Sequence, residues 1–316
     1  MNNWPNPFIE QRADPFILRH LSHYYFIASV PEYDRLEIRR AVTLEGLRDA
    51  EPVVVWRAPQ SGPMSQLIWA PELHEIDGKW YIYFAATHTH DLDALGMFQH
   101  RMFVLECADS DPLTGRWQEK GQVVTPFDTF ALDATTFTHQ GKRWYLWAQK
   151  FPHIEGNSNL YLAEMANPWT LKGEPVMLSK PEFDWECRGF KVNEGPAVLV
   201  HGDKLFISYS ASATDENYCM GLLWIDLQAD PLQPANWHKA PQPVFRTSYE
   251  NRQYGPGHNS FTQTPEGEDV LVYHARNYTE IEGDPLYDPN RHTRLKLVSW
   301  REDGMPDFGI PPADTL

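Results

Sequence analysis

The sequence predicts an all-β protein, a five-bladed β-propeller with four antiparallel strands in each blade. A polar leading residue followed by a hydrophobic strand pattern recurs five times, at intervals of 58 to 64 residues. Turn signals and further short strand patterns fill each interval, and no amphipathic helix of about ten residues or more is indicated. A repeat of this length built from strands is typical of sheets arranged radially around an axis. The five leading residues are Asp14, Glu72, Asp133, Glu194 and His258.

Each repeat divides into strands in the same order. Turn dipeptides such as Asp77-Gly78, Gln140-Gly141 and Gly202-Asp203 separate the first strand from the second, which is the punctuation of a β-hairpin. A third apolar run follows in every repeat, and a turn with Pro or Gly then leads to an outer strand. The third runs begin at Leu36, Met102, Asn159, Gly221 and Arg294.

Composition favours a single soluble domain over residues 1–316. The repeat occupies most of the 316 residues, and 42% of them are hydrophobic, which is enough for a substantial core. Lys and Arg total 27 against 43 for Asp and Glu, a formal net charge of −16. This balance argues against nucleic acid or an anionic membrane as partner. The oligomeric state is not predicted.

The expected location is the cytoplasm. The first residues lack a basic segment followed by an apolar run, and no stretch approaches about eighteen apolar residues. The three cysteines, Cys107, Cys187 and Cys219, have neither paired spacing nor an even count, so we expect reduced thiols.

Two connections between second and third strands, after Thr87 and after Asn277, are longer than their counterparts. Long polar loops in a compact repeat are often functional rims, although tolerated insertions are an equal alternative. Their histidines have irregular spacing, which does not favour a zinc site.

The repeat also predicts a site. If the leading residues occupy the same place in each blade, their side chains converge at one end of a central channel. Four of the five are acidic, and clustered carboxylates cannot all ionise at their ordinary pKa values. At least one of them should therefore keep its proton near neutral pH, which supplies an acid and a base from one residue type.

The motifs RADPFI, WAPE, LDATTF, NEGP and GPGHNSF together resemble those of the arabinan- and xylan-cleaving glycoside hydrolases of family 43, which are five-bladed propellers. The resemblance covers nearly the whole chain. It implies that Asp14 is the general base, that Asp133 orients the acid and tunes its pKa, and that Glu194 is the general acid of an inverting reaction. Inversion requires two carboxyl groups about 6.5–9.5 Å apart. For each of these residues, a structural carboxylate that caps a turn is the alternative.

Other residues are weaker candidates for the site. Trp69 resembles the family's aromatic platform for a sugar ring, and Glu72 either binds a sugar hydroxyl or holds the second blade. In the fifth blade, Arg294 is preferred over Arg276 for gripping hydroxyl groups. The repeat places His258 on the axis, and the resemblance implies that it contacts a structural Ca²⁺ ion there, directly or through water; direct contact with the acids is the alternative. The chemistry itself requires no cofactor.

The predicted activity is that of an exo-acting, inverting α-L-arabinofuranosidase, with short arabinose- or xylose-containing oligosaccharides as partners. A β-xylosidase or an endo-arabinanase of the same family is the nearest alternative. A non-catalytic propeller that binds carbohydrate or protein is the alternative from another class, since a fold alone does not establish catalysis.

Overall fold

The computed structural model describes residues 4–315 and forms a five-bladed β-propeller. The first blade contains β1 (Ala13–His20), β2 (His23–Ser29), β3 (Arg35–Ala41) and β4 (Val53–Arg57). The second contains β5 (Gln66–Ile76), β6 (Lys79–Thr87), β7 (Arg101–Cys107) and β8 (Trp117–Gln122). The third contains β9 (Ala131–His139), β10 (Lys142–Gln149), β11 (Asn159–Asn167) and β12 (Thr170–Ser179). In each blade, consecutive strands pair in antiparallel order.

The last two blades are less regular. The fourth contains β13 (Asn193–His201), β14 (Lys204–Ala211), β15 (Cys219–Asp226) and the short β16 (His238–Lys239). The fifth contains β17 (Tyr254–Gln263), β18 (Asp269–Arg276) and β19 (His292–Leu297), and a small hairpin follows, β20 (Ser299–Trp300) with β21 (Pro306–Asp307). The helical segments of the described chain are short 3₁₀ turns at Glu45–Leu47, Asp184–Glu186, Pro234–Asn236 and Pro285–Tyr287. Within residues 4–315, none of these is long and apolar enough to span a membrane.

The prediction of four strands in every blade is wrong for the fifth, in which the main sheet has three. The outer edge of β19 is covered by a distant segment. Phe8 donates its backbone N–H to Thr293 O at 2.8 Å, and Thr293 donates to Ile9 O at 2.9 Å. The beginning of the chain therefore pairs with the last blade and closes the ring, which removes an exposed sheet edge.

The core lies between the blades and is rich in aromatic rings, as the sequence predicts. Trp144, Trp147, Tyr83, Tyr145 and Phe206 are almost completely buried. Rings of this size fill the wedge-shaped spaces between neighbouring twisted sheets and remove much apolar surface from water.

Every first strand contains a bulge near its beginning, and this feature positions the site. Register shifts interrupt the pairing of β1, β5, β9, β13 and β17 with their second strands. Each of these strands has, at a register shift, a residue with a φ angle between 42° and 58°, a conformation that is uncommon for residues other than Gly. In blade order these residues are Asp14, Ala70, Asp133, Gly195 and His258, and β5 has a further one, Leu67, at its earlier register shift.

The bulges correct the repeat that the sequence suggested. Asp14, Asp133 and His258 occupy equivalent places, but Ala70 and Gly195 stand where Glu72 and Glu194 were expected. A strand pattern of period two does not reveal a single inserted residue. The leading residue predicted from the sequence therefore lies two positions from the bulge residue in the second blade and one position from it in the fourth.

We expect ring closure to contribute strongly to stability. Phe8 is 3% exposed, and Phe8→Ala should lower the free energy of unfolding by about 3–5 kcal/mol because it leaves a cavity beside the closing pair. Phe190 is 58% exposed, and Phe190→Ala should change the free energy of unfolding by less than about 0.5 kcal/mol. Urea denaturation of both variants measures the difference, and equal losses would contradict this role for Phe8.

Candidate active site

A narrow cavity opens at the end of the propeller where the first strands begin. Asp14, Asp133, Glu194 and His258 all line it, although they come from four different blades. The bulges bring them together, because an inserted residue re-aims the neighbouring side chain out of the blade. These four side chains therefore converge on one cavity, as the sequence predicts.

Asp14 is held by groups that favour its ionised form. Ser29 Oγ donates a hydrogen bond to Asp14 Oδ2 at 2.6 Å, and His258 Nδ1 lies 3.2 Å from Asp14 Oδ1. Arg291 Nη1 lies 3.7 Å from the same oxygen. Burial alone would raise the pKa of Asp14, but the contact with His258, the charge of Arg291 and the Ser29 hydroxyl together hold it below its ordinary value. Asp14 is therefore a carboxylate at neutral pH.

Asp133 and Glu194 have the opposite electrostatic environment. Burial raises the pKa of Asp133 well above its ordinary value, and the charges of Glu194 and Asp14 raise it further. Burial also raises the pKa of Glu194 to about 7, against the opposing hydrogen bond from Tyr218, with a further rise from Asp14. Tyr218 donates to Glu194 Oε1 at 2.8 Å, and Asp133 Oδ2 accepts the Gly195 N–H at 3.0 Å. This pair of carboxyl groups therefore retains a proton near neutral pH.

Trp69 lines the cavity, and its position depends on the long connection of the second blade. The Trp69 ring stacks on His100, with 3.7 Å between ring centroids and 19° between planes. His100 is fully buried and donates from Nε2 to Leu67 O at 2.9 Å. Burial lowers the pKa of His100 to about 3, so this histidine is a neutral support for the indole.

The fifth-blade connection forms another wall. Leu286 and Arg291, from the segment between β18 and β19, both line the cavity. Arg291 Nη2 donates to Tyr33 Oη at 3.0 Å, and Tyr33 donates in turn to Leu286 O at 2.5 Å. Of the two alternatives for this long loop, a functional rim or a tolerated insertion, the contacts of Leu286 and Arg291 with the cavity favour the rim.

Two of the predicted substrate-binding residues lie outside the cavity. Glu72 follows the bulge and does not occupy it, and its carboxylate bonds His74 Nε2 at 2.8 Å. Arg294 is fully buried, donates from Nε to Ala275 O and pairs with Asp314. Its guanidinium is directed into the blade, and Arg291 occupies the place in the site that was expected for it. Arg276, the other candidate, bonds Asp288 and the backbone of Thr214 and Pro285.

Sequence reasoning missed Ser29, Tyr33, Tyr218, His274 and Arg291. The predicted catalytic residues all came from first strands, whereas Ser29 and His274 stand at or near the ends of second strands. Polar residues at the ends of second strands were a signal for the site in the sequence, because in a hairpin the end of the second strand lies beside the beginning of the first. Arg291 is the last residue before β19, at the end of the long loop.

His258 contacts the acids directly. Its Nδ1 lies 3.2 Å from Asp14 and 3.7 Å from Asp133, and burial lowers its pKa although Asp14 opposes this. Within residues 4–315 no group of three or more His, Cys, Asp or Glu side chains could hold a metal ion. These residues do not fit direct coordination of calcium, which prefers a shell of oxygen ligands.

This combination of a five-bladed propeller and carboxyl groups from separate blades, some ionised and some protonated, defines a class of glycoside hydrolase that works with paired carboxyl groups. Comparison with known proteins assigns the family. The model of glycosyl hydrolases family 43 matches residues 4–306, and the chain belongs to this family.

Close relatives are named arabinofuranosidases. The extracellular exo-α-(1→5)-L-arabinofuranosidase of Streptomyces avermitilis is 56% identical over 98% of this chain, which spans 64% of that protein's length. The enzyme of the same name from Streptomyces chartreusis is 53% identical and covers 89% of this chain and 85% of its own. The crystal structure of an α-L-arabinofuranosidase from Lactobacillus brevis is 59% identical, covers 99% of this chain and 98% of its own, and superimposes with a TM-score of 0.98.

The predicted cytoplasmic location is wrong. Two relatives carry the word extracellular in their names. The prediction depended only on the absence of a leader pattern in the sequence, and nothing in the fold or the site requires a particular compartment.

We expect the alkaline limb of the kcat/KM profile for hydrolysis to report the proton of the Asp133–Glu194 pair, with activity falling as pH rises through about 7. Tyr218→Phe removes a hydrogen bond that lowers the pKa of Glu194, so this limb should move to higher pH. Tyr24→Phe, which removes a bond to Gln263 O far from the cavity, is the matched control. A limb that stays in place or moves to lower pH in Tyr218→Phe would contradict the assignment.

Proposed function

We propose that the chain is an exo-acting α-L-arabinofuranosidase that releases terminal arabinose from short α-1,5-linked arabino-oligosaccharides with inversion. The observation that carries this proposal is the opposite electrostatic state of Asp14 and Glu194 on one small cavity. The names of relatives that match nearly the whole chain supply the sugar and the linkage.

The geometry supports distinct roles for the two carboxyl groups. Asp14, ionised, accepts a proton from a water molecule as the water oxygen attacks the anomeric carbon. Glu194 transfers its proton to the glycosidic oxygen, so the bond from this oxygen to the anomeric carbon breaks and the shortened oligosaccharide leaves neutral. The released arabinose then carries the opposite anomeric configuration.

Neighbouring groups hold these two in place. Asp133 bonds the Gly195 N–H beside Glu194, and its charge, when present, disfavours ionisation of Glu194. Arg291 and the Ser29 hydroxyl keep Asp14 ionised. Since burial keeps His258 neutral near pH 7, this residue contacts the acids without adding a full positive charge.

The walls of the cavity favour attack at a chain end. Trp69, Leu286 and Arg291 enclose the space beside the carboxyl groups, and two of these residues come from the long fifth-blade connection. An enzyme that cuts inside a polymer needs a groove open in both directions, so the enclosed space favours removal of one terminal sugar over endo-cleavage.

The specificity is tested by assaying p-nitrophenyl α-L-arabinofuranoside and p-nitrophenyl β-D-xylopyranoside side by side, followed by product analysis with arabinotriose. We expect cleavage of the arabinoside and stepwise release of arabinose from the trisaccharide. Preference for the xyloside would support a β-xylosidase instead, and cleavage of neither glycoside would favour a non-catalytic carbohydrate-binding propeller.

Asp14→Asn, Asp133→Asn and Glu194→Gln should each reduce kcat by about 10²–10⁴-fold without unfolding the protein, because each removes a group that transfers or controls a proton. Asp203→Asn, an exposed carboxylate at the β13–β14 turn, is the matched control and should keep full activity. Full activity of any of the first three variants would contradict the role given to that residue.

A structural calcium ion on the axis, held near His258 through water, stays a proposal, and no step above depends on it. EDTA treatment followed by added Ca²⁺ tests it. A fall in both activity and melting temperature with EDTA, followed by recovery with Ca²⁺, would support the ion. No change in either would contradict the ion and favour the alternative, in which His258 only contacts the acids directly.

A further inference from the structure

Three of the five bulges share a hydrogen bond between neighbouring blades. The residue with positive φ donates its backbone N–H to a side chain near the end of the preceding blade's second strand. Ala70 donates to Ser29 Oγ at 2.8 Å, and His258 donates to Ser210 Oγ at 2.7 Å. Asp14 donates to His274 Nδ1 at 3.0 Å.

The acceptors occupy one equivalent position. Each pairs, across its own blade, with the residue just before the positive-φ residue: Ser29 with Ala13, Ser210 with Glu194, and His274 with Gly257. The fold therefore places the same kind of acceptor at this position, and serine is sufficient for it in two blades. The imidazole in the last blade calls for a separate explanation.

The hydrogen bond to Asp14 fixes the tautomer of His274. A ring nitrogen can accept an N–H only when it carries no proton, so the proton of neutral His274 is on Nε2. His274 is 1% exposed, and its Nε2 has no hydrogen-bond partner among residues 4–315. The lone pair of His274 Nδ1 thus accepts the backbone N–H of Asp14. Nε2 makes no hydrogen bond within the described residues that would pull the ring elsewhere.

The face of the His274 ring meets a different part of the site. It lies parallel to the Tyr218 ring, with 5.7 Å between centroids and 10° between planes. Tyr218 is the residue that donates to Glu194. Gly257, the strand partner of His274, also faces this ring, since a Cβ atom at Gly257 would lie 2.4 Å from the Tyr218 ring.

We propose that His274 is a positioning residue for both halves of the reaction: its Nδ1 holds the backbone of Asp14, and its ring holds Tyr218 and, through Tyr218, Glu194. This inference rests on the proposed function, in which Asp14 is the base and Glu194 the acid. His274 does not line the cavity, so it acts on the substrate only through these two residues. A serine at this position would retain the first contact and lose the second.

Two substitutions separate the contacts. His274→Phe keeps a ring against Tyr218 and removes the acceptor, whereas His274→Ser provides the hydroxyl acceptor that Ser29 and Ser210 provide and removes the ring. Arabinobiose needs protonation of its leaving oxygen, but 2,4-dinitrophenyl α-L-arabinofuranoside does not. The ratio of rates on these substrates is independent of the fraction of folded enzyme, so simple destabilisation does not change it.

His274→Phe should lose about tenfold or more in kcat on both substrates, because the base is affected whichever group leaves. His274→Ser should lose about tenfold on arabinobiose and stay within about threefold of wild type on the dinitrophenyl glycoside. His274→Ser loses the ring that His274→Phe keeps, so a loss of packing alone would make the serine variant the less active of the two. The proposal predicts the opposite order on the dinitrophenyl glycoside.

Wild-type kcat for His274→Phe on the dinitrophenyl glycoside would overturn the inference, as would equal losses of His274→Ser on both substrates. If one variant fails to fold, the other still tests one contact: His274→Phe tests the hydrogen bond to Asp14, and His274→Ser tests the ring contact with Tyr218. A wild-type protein that cleaves neither substrate would instead overturn the proposed function itself.

Discussion

The bulge at the start of each first strand is the constraint on which the rest of the site depends. It holds a residue of each first strand at positive φ, a costly conformation outside glycine, and the packed sheets on both sides keep it there. Because five bulges surround one axis, residues far apart in sequence face a common cavity. Asp14, Asp133 and His258 occupy bulge positions themselves, and Glu194 is placed by the bulge at Gly195.

Burial then separates the roles of similar residues. Removal from water raises the pKa of every carboxyl group in the cavity, and local contacts decide which of them still ionise. Asp14 has a hydroxyl donor and an arginine beside it and remains charged. At Glu194, burial and the charge of Asp14 outweigh the Tyr218 hydroxyl and Arg291, so the raised pKa keeps a proton there to about pH 7. Carboxyl groups in different surroundings thus reach opposite protonation states near neutral pH.

The repeat made the fold and much of the cavity predictable from the sequence, because short strands with regular turn dipeptides are a local pattern. Four of the five leading residues do line the cavity. The pairing of Phe8 and Ile9 with β19 was not predictable, since it joins segments almost 300 residues apart. Glu72 was misplaced by a bulge that period-two alternation does not show. Arg294 was expected in the site, but its buried side chain pairs with Asp314, whereas Arg291, in the loop just before β19, lines the cavity.

Supporting residues were the hardest to find, because their function depends on contacts across blades. Ser29 and His274 lie in strands and Tyr218 lies just before one, and only the folded ring shows that they bond Asp14 or Glu194. The central claim is that Asp14 activates water opposite the leaving group that Glu194 protonates. Proton NMR of the first arabinofuranose released from an α-linked substrate tests it most directly. The account predicts that the β anomer appears first, and initial appearance of the α anomer would contradict it.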